Sequence, residues 1–247
     1  MKPADFMWND APNGLKPAER DVQVFCAPLD VSARRLEELV QPLSEDEWRR
    51  GGRFHRARDR SRFLAGRGTL REILGVLLNV KPASLVFAYG KFGKPEIAAP
   101  VVAQALHFNL AHSDSIAVYA TARHELGVDL EHLRAFEELE QIASRCFSSR
   151  EERCLLTLPA EQRMEAFFNC WTRKEAYLKA IGLGLGDYLD EIDVLPAPGK
   201  AAELQGVAID SQQWFLHSLN PEAEFVGALA IPLEDLRVSC WKWSGPP

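Results

Sequence analysis

Phe167 to Gly186 reads FFNCWTRKEAYLKAIGLGLG, a long helical pattern running into a glycine-rich exit. At about 100° per residue, Met164, Phe167, Phe168, Trp171, Leu178 and Ile181 share one apolar stripe. Glu175 falls in the middle of that stripe, and Lys174 and Lys179 lie along its edges. A carboxylate on a core-facing stripe is costly unless a charge or a metal meets it. A partner for Glu175 must therefore come from elsewhere in the chain.

Outward from this helix, the pattern predicts strands at Asp21–Pro28, Ser84–Tyr89, His107–Leu110, Ile116–Thr121 and His124–Leu130. Later strands are expected around Trp214–Leu219, Glu224–Ala230 and Val238–Trp243. Helices are expected over Ser32–Leu43, over Arg53–Asn79, and two or three between Phe136 and Leu158. Ser44 with Glu47 is a capping-box pattern, and Ser148 and Ser149 before Glu151 and Glu152 mark another helix start. Gly66 and Gly68 lower helix propensity but permit close approach of a second backbone. Residues 1–20 read as a loose arm. A long helix precedes a group of strands twice, so the fold class is α+β with mainly antiparallel sheets and two halves of similar plan.

Composition narrows the classes. Lys and Arg number 29 against 35 Asp and Glu, a net charge of −6, which argues against duplex nucleic acid as a partner. No apolar run reaches membrane-spanning length, and the polar, proline-bearing start does not read as a signal peptide. The 5 cysteines are scattered without metal-type spacing and fit reduced thiols in the cytoplasm. The histidines form no HxxxH or HxH pattern. No GxSxG, Walker-type loop or dinucleotide fingerprint occurs either, so zinc, serine-hydrolase and dinucleotide chemistry lack support.

GVDLE occupies Gly127 to Glu131. Alternate residues of a strand share a face, so Val128 and Leu130 would point to the core and Asp129 and Glu131 together to the other side. Two carboxylates on one face repel unless a cation sits between them, and their oxygens suit Mg²⁺ or Ca²⁺. A solvated strand face is the plain alternative. Glu175 adds a third carboxylate, and one divalent ion shared with Asp129 and Glu131 would satisfy all of them. For Glu175 the competing solution is a salt bridge to Lys174 or Lys179.

Arg49, Arg50, Arg53, Arg56, Arg58, Arg60, Arg62, Arg67 and Arg71 crowd one segment of a chain that is acidic overall. Guanidinium groups match phosphate geometry, so the segment reads either as a surface for a phosphate-rich ligand or acidic protein, or as a solvated helix face. Lys94, in the loop GKFGKPE, can reach a phosphate as a point charge; an exposed turn lysine is the alternative. His112, at the end of the strand FNLAHS, can donate to a phosphate oxygen or serve the structure alone.

Taken together, GVDLE at 127–131, WTRKEAYLKAIGLGL at 171–185, FNLAHS at 108–113, GKPE at 93–96 and RFLAGRGTLR at 62–71 resemble one family. It is the 4′-phosphopantetheinyl transferases of the larger, surfactin-synthetase-activating type. The resemblance covers residues 44–185 in motif order and spacing. It implies a monomeric pseudo-dimer, with residues 1–122 as the half carrying coenzyme A-binding basic residues and 123–247 as the half carrying the metal site and catalytic helix. It implies coenzyme A as co-substrate and Mg²⁺, with Mn²⁺ the alternative, in the cleft between the halves. The implied reaction moves the phosphopantetheine arm of coenzyme A to a serine of an apo acyl, peptidyl or aryl carrier protein, and adenosine 3′,5′-bisphosphate leaves.

By resemblance, Asp129, Glu131 and Glu175 match acidic metal-site positions. Glu175 also matches the general base, and Lys179 the lysine beside the phosphates. His112 and Lys94 match phosphate-contacting positions, and Arg50 and Arg53 basic positions near the 3′-phosphate and adenine. Ala111 departs from the pattern, standing where many members carry serine, which removes a hydroxyl contact to coenzyme A. The Arg-rich segment 49–71 and the segment 132–148 are the expected carrier-docking regions. Two other readings compete: a non-catalytic protein that binds coenzyme A or polyanions, and a Mg²⁺-dependent nucleotide pyrophosphohydrolase.

Overall fold

Strands and helices alternate in blocks along a computed structural model that describes residues 6–98, 106–183, 189–194, 202–203, 205–206 and 212–246. The first block holds β1 (Trp8–Asp10), β2 (Asp21–Pro28), α1 (Ala33–Val40), α2 (Glu45–Gly51), α3 (Ala57–Leu78), β3 (Phe87–Tyr89), β4 (Pro95–Ile97), β5 (His107–Ser113) and β6 (Ile116–Ala122). The second holds β7 (Gly127–His132), α4 (Leu139–Cys146), α5 (Ser149–Thr157), α6 (Ala160–Ala180), β8 (Ile192–Asp193), β9 (Ala202–Glu203), β10 (Gln205–Gly206), β11 (Phe215–Leu219), β12 (Phe225–Ile231) and β13 (Arg237–Lys242).

Two segments repeat one plan. β2, α3 and the hairpin β5–β6 give the strand order β2-β6-β5; β7, α6 and the hairpin β11–β12 give β7-β12-β11. In each half a strand leads through a helix of 22 or 21 residues to an antiparallel hairpin, whose second strand pairs with the leading strand. The fold is thus α+β, in two similar halves with mainly antiparallel pairing. The parallel pairs among the described residues are β1 with β13 and β13 with β2. The chain's last strand therefore returns to the first sheet, between β1 and β2.

The layers run helix, sheet, sheet, helix. Leu70, Ile73 and Leu74 of α3 pack on Phe25, Ala117 and Tyr119 of the first sheet. Tyr177 and Leu178 of α6 pack with Trp214, Leu216 and Ala228 on the second. Val22, Val118 and Ala120 meet Val128, Leu219 and Leu229 between the sheets. No helix among the described residues is long and apolar enough to cross a membrane.

Local signals place most boundaries. Both capping boxes form: Ser44 Oγ accepts from Glu47 N, and Ser148 Oγ from Glu151 N, with each glutamate returning to its serine's N–H. A Cβ on Gly68 would lie 2.3 Å from Leu39 O, so this glycine does admit α1 against α3. Four expectations need correction. Trp8–Asp10 is a strand rather than arm, paired with Cys240–Lys242 at the far end of the chain, where no local pattern could announce it. α3 begins at Ala57, not Arg53, because the chain must turn after the Gly51–Gly52 end of α2. Of Ser84–Tyr89 only Phe87–Tyr89 pairs, after a 3₁₀ turn at Pro82–Ser84. The second half of α6 is buried nearly all round rather than along one stripe, because α5, the residues around Leu189–Val194 and the sheet enclose it. The exit after Leu183 lies outside the described residues.

Candidate active site

Gly127 sets the depth of the site. A Cβ there would come 2.0 Å from Ala176 O and 2.4 Å from Ala180 N, so only glycine lets β7 lie this close to α6. Strand alternation then turns Asp129 and Glu131 to the same side as Gly127, toward α6, while Val128 and Leu130 enter the inter-sheet core. Lys179 reaches back from α6 and places Nζ 2.6 Å from Asp129 Oδ1. Asp129 Oδ2 and Glu175 Oε1 are both buried without a hydrogen-bond partner among the described residues.

The charges are coupled. Burial pushes the Asp129 carboxyl up to about 6, against the pull of Lys179. Burial, and then the charge of Asp129, push Glu175 up to about 7, with Glu131 adding in the same direction. Glu175 is therefore not neutralised by either lysine. Lys179 belongs to Asp129. Lys174 is fully buried, pairs with Glu151 at 2.7 Å and donates to Leu189 O and Ile192 O. The salt-bridge alternative for Glu175 fails on this geometry, because Lys174 turns away from the cleft.

Hard carboxylate oxygens with two orphaned, mutually repelling members suit a divalent cation chemically. The ligand set is not gathered in advance: among the described residues no three His, Cys, Asp or Glu side chains are grouped to hold a metal. Ser113 Oγ donates to Glu131 Oε2 at 2.9 Å.

A cavity of about 460 Å³ opens beside this cluster, between α3 and the β5–β6 hairpin. Arg50, Arg62, Arg67, Tyr89, Gly93, His112 and Tyr119 are among its lining residues. A second space, about 190 Å³, shares Gly93, Pro95 and Leu110 with it and is lined by Lys94, Asn109 and Lys179. Arg50 and His112 thus border the first space and Lys94 and Lys179 the neighbouring one, whereas Arg53 is exposed outside the lining residues of both. The His112 pKa is lowered by the surrounding protein and by the charges of Lys179 and Arg62. The Lys94 ammonium donates to Ala180 O at 2.8 Å and Leu126 O at 3.3 Å, which ties the β3–β4 hairpin to the carbonyl end of α6. Ala111 is buried in the inter-sheet core and is not among the lining residues of either space.

The arginine cluster divides. Arg67 and Arg71 are buried against Glu47, at 2.7 Å each. Arg62 is held by Asp30 and Asp114. Arg49 meets Glu45, and Arg58 lies 3.6 Å from Asp114. Arg50 lies over the Tyr89 ring at 4.8 Å. Arg53, Arg56 and Arg60 are exposed. Sequence reasoning missed Tyr89, Asn109 and Ser113. The alternation of Asn109, Ala111 and Ser113 along β5 was the available signal for the last two.

Two family descriptions cover most of this chain. Residues 125–230 match the 4′-phosphopantetheinyl transferase superfamily, and residues 30–124 match its N-terminal unit, described as 4′-phosphopantetheinyl transferase, N-terminal. The chain is 40% identical to the 4′-phosphopantetheinyl transferase HetI of Nostoc sp., over 91% of this chain and 93% of that protein. The chain belongs to the 4′-phosphopantetheinyl transferase family. As a member of it, the protein is an enzyme. More distant transferases are psf-1 of Bacillus pumilus, 33% identical over 63% of this chain and 65% of its own, and Sfp of Bacillus subtilis, 27% identical over 66% and 71%. The two matched units of this transferase meet between residues 124 and 125, at the turn into β7.

Proposed function

We propose that this transferase moves the 4′-phosphopantetheine arm of coenzyme A to a serine hydroxyl of an apo acyl, peptidyl or aryl carrier protein, releasing adenosine 3′,5′-bisphosphate. The observation that carries the reading is the pair of orphaned oxygens, Asp129 Oδ2 and Glu175 Oε1, set beside Lys179 at the head of a cation-lined groove. Family membership supplies the reaction class, and the subtype is taken as the larger, surfactin-synthetase-activating one. Two similar halves within one chain favour a monomer, and the free cysteines favour the cytoplasm.

Asp129, Glu131 and Glu175 would hold Mg²⁺, or Mn²⁺ in its place, which when bound supplies positive charge to the phosphoryl oxygens. The remaining work falls to the chain. Glu175 takes the proton of the incoming serine as its general base. Lys179 offsets charge on the leaving phosphate side. Arg50, His112 and Lys94 line the path of the coenzyme A phosphates. An ammonium has three donors, and Lys94 uses two on backbone carbonyls, so one remains for a phosphate oxygen.

The test is to incubate the protein with coenzyme A, Mg²⁺ and apo carriers of several types and weigh the carriers. A phosphopantetheine adduct is expected. No adduct on any carrier sinks the proposal, and coenzyme A cleavage without transfer points instead to a pyrophosphohydrolase. Glu175→Gln keeps the shape but removes the base, and is expected to abolish transfer without altering the circular dichroism spectrum. Near-normal turnover would reject the role of Glu175.

A further inference from the structure

The two sheets meet at their edges, β5 and β7, and side chains from one face of β5 make the join. Asn109 Oδ1 accepts from Val128 N at 2.9 Å. Two residues beyond Ala111 on the same face, Ser113 Oγ accepts from His132 N at 3.1 Å. A hydroxyl has a single proton, and Ser113 gives it to Glu131 Oε2 at 2.9 Å. This one hydroxyl therefore fixes both the backbone of β7 and the side chain of Glu131.

We propose that Ser113 is a positioning residue for the cation site, holding Glu131 from the opposite half of the molecule. The proposal rests on reading Asp129, Glu131 and Glu175 as the cation ligands. Unlike Asp129 and Glu175, Glu131 is only partly buried, and α6 gives it no ion pair among the described residues. Its side chain has rotamers to lose, and the hydrogen bond from Ser113 selects one in advance. The first half of the chain thereby sets a ligand carried by the second, and the site is complete only when β5 and β7 are joined.

The test measures Mn²⁺ binding to the full chain by electron paramagnetic resonance, with and without coenzyme A. Ser113→Ala is expected to weaken Mn²⁺ binding about tenfold, the usual effect of losing a hydrogen bond to a ligand. Ser113→Thr, which keeps the hydroxyl, is expected to restore it. In a Glu131→Gln background, Ser113→Ala is expected to add nothing, because its effect runs through that carboxylate. A purely structural role would lower the melting temperature and add its loss in both backgrounds. Equal Mn²⁺ affinity in wild type and Ser113→Ala, or additive losses, overturns the proposal. Failure of the wild-type chain to bind Mn²⁺ under either condition overturns the cation reading itself and this assignment with it.

Discussion

Lys179 meets Asp129 through one carboxylate oxygen at 2.6 Å and leaves the other, Oδ2, buried with no hydrogen bond among the described residues. A buried ion pair that satisfies half of its acid is poor design for stability alone, because the orphaned oxygen keeps its desolvation cost. Replacing Lys179 by Met should therefore act twice. Asp129 loses its only ion pair among the described residues and its pKa climbs further. The metal-free protein should lose about 2 kcal/mol in urea denaturation, less than a fully buried pair would lose because Lys179 is partly exposed. Transfer should fall about 100-fold in kcat, the usual scale for removing one electrostatic stabiliser. Lost stability with unchanged kcat would leave the lysine a structural role only.

The raised carboxyls make a pH prediction with a definite sign. Glu175 rises from an ordinary 4.5 to about 7, and Asp129 from 3.8 to about 6. An acid whose pKa is raised by folding contributes stability that is present below its unfolded pKa and lost as pH rises through its folded pKa. For Glu175 that window is from about 4.5 to about 7. His107, His112 and His217 act oppositely, since burial lowers their pKa values and protonation at low pH opposes the fold. The net slope mixes both, so the informative quantity is a difference. Without divalent cations, wild-type protein should lose stability relative to Glu175→Gln between pH 5 and pH 8. Parallel denaturation curves across that range would contradict the assigned shift.

Glu151 and Lys174 form a second, different pair. Both are buried, and each is fully satisfied: Glu151 also accepts from Ser148 N and Val194 N, while Lys174 donates to Leu189 O and Ile192 O. The pair ties the start of α5, the residue next to Glu175 and the segment beyond α6 into one knot. Glu151→Gln should cost about 3 to 5 kcal/mol by denaturation, because it strands a buried ammonium. Lys174→Met in that background should recover part of the loss, since it removes the stranded charge. Additive losses would mean that the pair does not act as a unit.

How much of this was legible depended on how local each signal was. Asp21–Pro28 emerged at its observed bounds, and Ser44 with Glu47 and Ser148 with Glu151 declared their helix starts, because capping acts over three residues. Asp129 and Glu131 sharing a face followed from strand alternation alone. The second duties of the capping glutamates did not follow. Glu47 also receives Arg67 and Arg71, and Glu151 also receives Lys174, all from distant turns of other helices. Lys174 and Lys179 looked equivalent on a helical wheel, yet one faces the core beside α5 and the other faces β7. Only the packing of α6 separates them. Ser113 was visible as a strand residue but not as Glu131's partner, since the β5–β7 join is a contact between sheet edges rather than a ladder.

The divided arginine cluster narrows where an acidic carrier could dock. Arg62, Arg67 and Arg71 are engaged with Asp30, Asp114 and Glu47, so their charge is already compensated. Arg56 and Arg60 are exposed at the start of α3, near the mouth of the 460 Å³ cavity that Asp59 and Arg62 line. Exposed charges steer an oppositely charged partner and are screened by salt, so their loss should appear in encounter rather than chemistry. Arg56→Glu with Arg60→Glu should raise the carrier KM several-fold, by the scale expected for rim charges. The salt dependence of carrier kinetics should flatten, while kcat and the KM for coenzyme A stay unchanged. Arg53→Ala separates the neighbouring role: if Arg53 serves coenzyme A, its loss raises the coenzyme A KM and spares the carrier. Carrier kinetics identical to wild type in the double reversal would remove this end of α3 from the docking surface and leave the segment 132–148 as the remaining candidate.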